Sequence, residues 1–158
     1  MKHHKILTMP LLLKKISQLR KKGLKIVFTN GCFDLLHVGH ISVLERAKKL
    51  GDVLVVGVNS DRSVAKLKGP HRPLTSLKDR LRVPSALEAV DFVTSFTELT
   101  PLNIIRRISP DTLVKGGDYR AHSIVGAQDV IKSGGRVCLV PLVKNHSTSQ
   151  IIGKLSKL

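Results

Sequence analysis

Five short runs of apolar and β-branched residues constrain the fold of this chain more than any other feature. They occupy residues 25–29, 53–58, 91–95, 112–115 and 136–140, and longer helix-like segments separate them. The runs are apolar almost throughout rather than alternating, which is typical of strands covered on both faces. Strands that alternate with helices predict a parallel arrangement. We therefore expect an α/β fold with an open, parallel, five-stranded sheet and helices on both faces.

The segments between these runs carry helical patterns. Residues 39–50 place apolar side chains on one side and lysines on the other, and Gly51 ends the pattern. A helix over 76–89 would begin at a Ser76 cap, but Pro84 must kink or divide it. Further helices are expected over 11–22, 102–108 and 124–132.

The length of the chain favours one core. With 158 residues, 42% of them hydrophobic, we expect a single domain over 1–158, in which 1–24 form an N-terminal helical extension and 25–158 the core. No apolar stretch of about 18 residues and no secretory signal pattern is present, so we expect a cytoplasmic protein without a membrane partner. Cys32 and Cys138 are too few for a disulfide framework.

The charge of the chain indicates anionic partners. Lys and Arg number 27 against 11 Asp and Glu, which gives a formal net charge of +16. Nucleic acid, an anionic membrane surface and phosphorylated metabolites all fit this sign. Only 3% of the residues are aromatic, so the interleaved basic and aromatic pattern that stacks single-stranded bases is missing. A basic nucleic-acid-binding module remains the alternative that charge alone suggests, although we expect no specific nucleic acid.

The segment 29–40 joins the first predicted strand to the first long helix. Ligands of open parallel sheets bind at the carboxyl ends of the strands, and a helix N-terminus there offers N–H groups to a phosphate. Gly31 and Gly39 let the backbone approach closely. His37 and His40 are three residues apart, so both imidazoles can reach one point. Two such donors can stabilise the charge that develops on a transferring phosphoryl group.

This segment resembles the signature of the cytidylyltransferase-like nucleotidyltransferases, because His-x-Gly-His follows Thr-Asn-Gly-Cys-Phe-Asp. Together with residues 58–61, 67–69, 72–73, 114–119 and 147–152, it is most similar to the D-glycero-β-D-manno-heptose 1-phosphate adenylyltransferases, from about residue 25 to the C-terminus. The resemblance implies a Rossmann-like fold and transfer of AMP from ATP to heptose 1-phosphate, giving ADP-heptose for lipopolysaccharide biosynthesis. Some relatives carry a fused sugar kinase, for which this chain has no room, so a stand-alone form is expected. A homodimer is also implied.

The resemblance also implies roles for individual residues. His37, His40 and Lys68 would be catalytic, and contact the phosphates or neutralise the departing pyrophosphate. Nucleotide binding would fall to Thr29, Asn30, Gly31, Cys32, Phe33, Gly39, Arg80, Lys115, Gly116, Asp118, Ser147, Thr148 and Ser149. Since a phosphate monoester is already ionised near neutral pH, the attacking oxygen needs no general base. Mg²⁺ is expected as a cofactor that the triphosphate carries, without ligands from the protein.

Several alternatives remain open at this point. Cys32, His37 and His40 make a poor zinc site because a fourth ligand is missing. Asp34 either anchors the turn or helps to hold the waters of the metal. Pro84 puts the role of Arg80 in doubt, with Arg82 as its alternative. A glycerol 3-phosphate cytidylyltransferase, or another sugar- or alcohol-phosphate nucleotidyltransferase, would share the same phosphate chemistry.

Overall fold

The computed structural model describes residues 4–117, 123–141, 143 and 148–155. Within these ranges five strands form one sheet in which every pairing is parallel. The strands are β1 (Ile26–Gly31), β2 (Val53–Asn59), β3 (Phe92–Phe96), β4 (Thr112–Gly116) and β5 (Arg136–Val140). Their order in the sheet is β3-β2-β1-β4-β5. The predicted open parallel α/β fold is confirmed.

Helices connect the strands close to where the sequence predicts them. The described helices are α1 (Met9–Arg20), α2 (Val38–Lys48), α3 (Asp61–Lys68), α4 (Leu77–Ser85), α5 (Leu102–Ile108), α6 (Ala127–Lys132) and α7 (Thr148–Leu155). The sequence analysis missed α3. Its signal was a cap, because the Ser60 hydroxyl accepts a hydrogen bond from the Ser63 N–H at 3.3 Å.

The helix predicted over 76–89 is shorter than expected. The Ser76 hydroxyl caps α4 by accepting from the Asp79 N–H at 3.3 Å, but the helix ends at Ser85. Pro84 has no N–H to continue the ladder, so it lies in the last turn and the helix neither continues past it nor divides. This placement leaves the first turns of α4, including Arg80, regular.

Each face of the sheet buries its own layer of helices. On one face, α1, α5 and α6 pack on Ile26, Phe28, Val55 and their neighbours. On the other, α2 and α4 pack on the alternate strand residues, among them Val27 and Val56. The segment before α1 also extends the sheet: Ile6 bridges Val93 in parallel at the β3 edge. The N-terminal extension is therefore part strand and part helix. No helix among the described residues is long and apolar enough to cross a membrane.

Candidate active site

A cavity of about 620 Å³ opens at the carboxyl ends of β1 and β4. These two strands are neighbours at the point where the strand order reverses, which is where open α/β sheets bind ligands. The site residues predicted from the sequence that line it are Thr29, Asn30, Gly31, Cys32, Phe33, His37, Gly39, His40, Lys68, Lys115, Gly116 and Thr148. The fold thus brings together residues from both ends of the chain.

Two histidines stand side by side at the start of α2. His37 is the N-cap residue, and its Nδ1 accepts a hydrogen bond from the Gly39 N–H at 3.2 Å. The centroid of its ring lies 3.9 Å from that of His40, which in turn lies 5.3 Å from the Phe33 ring. Among the described residues, Nδ1 of His40 is buried without a hydrogen-bond partner.

The electrostatics of this pair favour a neutral His40. Burial, and then the nearby charge of His37, lower the pKa of His40 to about 4. At neutral pH the ring therefore carries one N–H, and an anion in the cavity would stabilise its protonated form. Such a pair can donate to phosphate oxygens without first losing a proton to a base.

The β1–α2 loop (residues 32–37) has a turn with an unusual backbone. Phe33 adopts a φ of 49°, in the left-handed region that a residue with a bulky side chain rarely occupies. Its ring is buried, and a Cβ on Gly31 would lie 3.2 Å from it. This close approach explains why glycine stands at position 31. The conformation persists because bonds on both sides of Phe33 determine it.

The first of these bonds involves Arg80, whose side chain is fully buried. Its Nη1 donates to the Cys32 carbonyl at 2.7 Å, its Nε to the Thr75 carbonyl at 3.1 Å, and its Nη2 to the Asp61 carboxylate at 2.6 Å. Arg80 thus lies behind the loop and does not line the cavity. Arg82 is exposed and also lies outside the lining.

The second set of bonds involves Asp34, which is nearly inaccessible to solvent. Its carboxylate accepts from Nε of Arg72 at 2.6 Å, from the Leu74 N–H at 2.8 Å, and from the Thr75 N–H at 3.0 Å. Burial raises the pKa of Asp34, but the hydrogen bonds from Leu74, Thr75 and Arg72 together bring it below its usual value. Of the two roles left open by the sequence, these contacts favour the anchoring one.

Basic side chains line the cavity at its two sides. Lys68 ends α3 and is exposed, whereas Lys115 is the penultimate residue of β4 and is half-buried. The Lys115 ammonium donates to the Asn30 side-chain carbonyl at 2.5 Å, so it joins the ends of β4 and β1. Burial lowers the pKa of Lys115 to about 8. The cavity is therefore positively charged where an anionic ligand would enter.

Other predicted residues are placed only in part. The Thr148 hydroxyl, at the start of α7, donates to the Leu35 carbonyl at 3.4 Å. Asp118 and Ser147 lie outside the described residues, as does the side chain of Ser149.

The cavity lining also includes residues outside the predicted catalytic and nucleotide-binding sets, namely Asp34, Val43, Arg72, Pro101, Ser123, Ile124 and Val125. Asp34 and Arg72 lie in segments that carry the family resemblance, whereas the other five belong to no motif that the sequence analysis used.

The donor set of the site does not resemble a metal centre. Within the described ranges, no three His, Cys, Asp or Glu side chains are grouped so that they could hold a metal ion. Asp34 is the carboxylate among the described lining residues, and both of its oxygens already accept hydrogen bonds.

Comparison with known proteins decides the family. Residues 28–153 match the family model described as Cytidylyltransferase-like. The chain belongs to this family. The predicted enzyme class, nucleotidyltransferase, is confirmed, and cytidylyltransferase-like enzymes use a divalent metal together with the nucleotide.

Individual relatives agree with this assignment. The chain is 51% identical over 150 residues to the bifunctional protein HldE of Koribacter versatilis (strain Ellin345), covering 95% of this chain and 31% of that protein. It thus spans about a third of the length of the curated relatives that it matches. The crystal structure of the lipopolysaccharide core biosynthesis protein from Thermoplasma volcanium GSS1 is 32% identical, with a TM-score of 0.61, and covers 78% of this chain and 100% of that chain.

A more distant structure shares the fold alone. The pantoate-beta-alanine ligase from Francisella tularensis is 16% identical, with a TM-score of 0.57, covering 92% of this chain and 76% of that chain. The Rossmann-like architecture of this chain is thus shared by a protein of very different sequence.

Proposed function

We propose that this chain transfers AMP from MgATP to D-glycero-β-D-manno-heptose 1-phosphate, releasing pyrophosphate and giving ADP-heptose for the lipopolysaccharide core. Three findings support this substrate assignment. The sequence motifs resemble those of the heptose 1-phosphate adenylyltransferases, the HldE proteins are about half identical over this chain, and a solved relative is named for lipopolysaccharide core biosynthesis.

One observation carries the proposed chemistry. Two adjacent imidazoles stand at the N-terminus of α2, in a cavity that several cationic side chains line. The carboxylate of Asp34, which also lines the cavity, is already paired with Arg72. The arrangement offers hydrogen-bond donors and positive charge, and the carboxylate among its described lining residues is engaged in hydrogen bonds. It therefore suits a reaction in which negative charge is redistributed on phosphate oxygens and no proton has to be removed.

The same elements give the triphosphate a place. The positive end of the α2 dipole and the loop around Gly31 would hold the phosphates near His37 and His40. The first residues of α7, with Thr148, and the exposed Lys68 would receive the β and γ phosphates. Lys115 would hold the nucleoside side of the ligand at the end of β4. These residue roles extend the predictions made from the sequence, and they are likewise proposals.

The bond changes follow from this placement. An oxygen of the acceptor's phosphate forms a bond to the α-phosphorus of ATP, while the bond from that phosphorus to the oxygen bridging the β-phosphate breaks. Pyrophosphate leaves with the electron pair of the broken bond. His37 and His40 stabilise the charge on the non-bridging oxygens, and alignment of the two phosphates supplies much of the remaining rate. ATP would carry the magnesium, which would offset part of the negative charge of the triphosphate.

A direct assay tests this proposal. The purified protein is incubated with Mg²⁺ and heptose 1-phosphate, with ATP and CTP in separate reactions, and pyrophosphate release is followed with mass detection of the nucleotide sugar. We expect pyrophosphate and ADP-heptose with ATP, and neither product from the His37→Ala/His40→Ala double variant. Turnover of CTP with glycerol 3-phosphate in place of these products would overturn the assignment in favour of the sister enzyme.

A further inference from the structure

Arg72 has a position in the site that the sequence analysis did not assign to it. It lies in the connection between α3 and α4 (residues 69–76) and lines the cavity together with Lys68 and the two histidines. From its contacts we infer that Arg72 is a phosphate-binding residue of this site, held in its binding orientation by Asp34. This inference rests on the proposed function in one respect. The proposed reaction supplies the phosphate, which belongs either to the nucleotide or to the acceptor.

The first step of the argument is how firmly Arg72 is held. Its side chain is 18% exposed, and its Nε donates to Asp34, whose side chain is 2% exposed. Asp34 is itself fixed by the N–H groups of Leu74 and Thr75 and by the Thr75 hydroxyl. The backbone N–H of Arg72 donates to the Gly69 carbonyl at 3.1 Å. Arg72 is therefore anchored at both its backbone and its Nε.

The second step concerns the other end of the guanidinium. Among the described residues, no acceptor bonds Nη1 or Nη2 of Arg72, and neither atom is buried without a partner. The two nitrogens therefore remain accessible from the cavity that the side chain lines. A guanidinium anchored through Nε leaves a planar pair of donors, which matches the geometry of a phosphate.

The third step is charge. The Asp34 carboxylate accepts hydrogen bonds from two backbone N–H groups and a hydroxyl as well as from Arg72. Its negative charge is therefore shared among several donors and does not fully neutralise the guanidinium. If Arg72 were lost, the buried Asp34 carboxylate would have no paired cation, and the folded state would lose free energy of stabilisation. This cost keeps Arg72 beside Asp34. Lys68, by contrast, is exposed, and its ammonium makes no hydrogen bond or ion pair with the described residues. Arg72 is thus the better ordered of these two cations.

Two phosphates could occupy this position. One is the pyrophosphate part of ATP as it departs, and the other is the phosphate monoester of the acceptor. Both present the same chemistry to a guanidinium, so the test has to separate them. Pyrophosphate serves as the probe for the first source, and the KM for heptose 1-phosphate reports on the second.

The experiment compares Arg72→Ala with Arg62→Ala, which removes the same charge from an exposed position of α3 outside the cavity lining. Calorimetry measures the affinities for pyrophosphate, ATP and adenosine, and steady-state assays measure the KM for each substrate. We expect Arg72→Ala to weaken pyrophosphate binding about tenfold or more, with adenosine unchanged, because a charge-assisted hydrogen bond is lost. Adenosine separates the proposal from a structural role, since a distorted cavity would weaken all three ligands together.

Each outcome either supports or overturns the role of Arg72 in phosphate binding. A fall in pyrophosphate affinity supports the leaving-group position, and a raised KM for the acceptor with unchanged pyrophosphate affinity supports the acceptor position. Values within twofold of Arg62→Ala for both probes, or an equal fall for adenosine, would overturn the inference. Calorimetry with pyrophosphate needs no acceptor. It therefore still tests the role of Arg72 if the protein does not turn over heptose 1-phosphate.

A second variant covers the case in which Arg72→Ala does not fold. Arg72→Lys keeps a cation beside Asp34 but cannot bond the carboxylate and a phosphate with one planar group. We expect it to fold and to bind pyrophosphate at least threefold more weakly than the wild type. Wild-type affinity in this variant would contradict a guanidinium role.

Discussion

The two ends of the β1–α2 loop differ in how fully their polar atoms are bonded. At its beginning, the Cys32 carbonyl and the Asp34 carboxylate accept bonds from Arg80, Arg72 and the backbone of residues 74–75. Beyond its other end, in the first turn of α2, His40 keeps a buried Nδ1 without a partner among the described residues. Buried polar atoms normally have hydrogen-bond partners. The end with bonded polar atoms, the saturated end, therefore has a structural role. The end with an unpartnered atom, the unsaturated end, is a candidate ligand-binding site. Substitutions at the two ends should therefore have different consequences.

The largest expected effect is on turnover, at the unsaturated end. His40→Ala should lower kcat by about 10²-fold or more, as loss of one transition-state donor does, and should leave the free energy of unfolding close to that of the wild type. Steady-state assays and urea unfolding measure the two quantities. The matched control is His71→Ala, at an exposed position. Near-normal turnover of His40→Ala would remove the distinction between the ends.

The next effect is on stability, at the saturated end. Arg80→Ala should lower the free energy of unfolding by about 2–3 kcal/mol, because two carbonyls and Asp61 lose a buried donor. Arg82→Ala, on the exposed side of the same helix, should change it by less than about 0.5 kcal/mol. Chemical denaturation of both variants tests this. Equal stabilities for the two would show that Arg80 does not hold the loop.

A smaller effect is expected where the loop meets the strand. Gly31→Ala places a Cβ 3.2 Å from the Phe33 ring, whose backbone conformation leaves it little room to move. We expect a loss of about 1 kcal/mol of stability and a severalfold higher KM for ATP. Gly153→Ala is the control, since a Cβ there meets no atom of the described residues within 4 Å and alanine favours a helix. A Gly31→Ala enzyme as stable as Gly153→Ala would show that the contact yields freely.

The smallest effect is a change in protonation. Free His40 should titrate with a pKa of about 4, and pyrophosphate should raise that pKa because a nearby anion favours the charged imidazole. Nuclear magnetic resonance of the imidazole protons, with and without pyrophosphate, measures the shift. His71, which lies in an exposed loop, serves as the internal reference. A pKa of His40 that pyrophosphate leaves unchanged would place the anion away from the ring.

The sequence predicted what depends on local pattern. Each strand begins and ends within about two residues of its apolar run, and the placement of His37 and His40 follows from one strand-to-helix turn. What it could not predict depends on contacts between distant segments. Asp34 bonds Thr75 across 41 residues, and Arg80 bonds Cys32 across 48. Neither the period of a helix nor the spacing of a motif indicates which way such a side chain turns, so the sequence could not show that Arg80 lies behind the loop while Arg72 lines the cavity.

The half-buried Lys115 gives ligand binding a further property. With a pKa of about 8, a sizeable fraction of these side chains is uncharged in mildly alkaline solution. On the proposed function, a triphosphate that enters the cavity would favour the ammonium form, so the protein would take up protons as the nucleotide binds. The apparent affinity for ATP then falls as the solution becomes more alkaline. The heat of binding likewise depends on how readily the surrounding buffer gives up those protons.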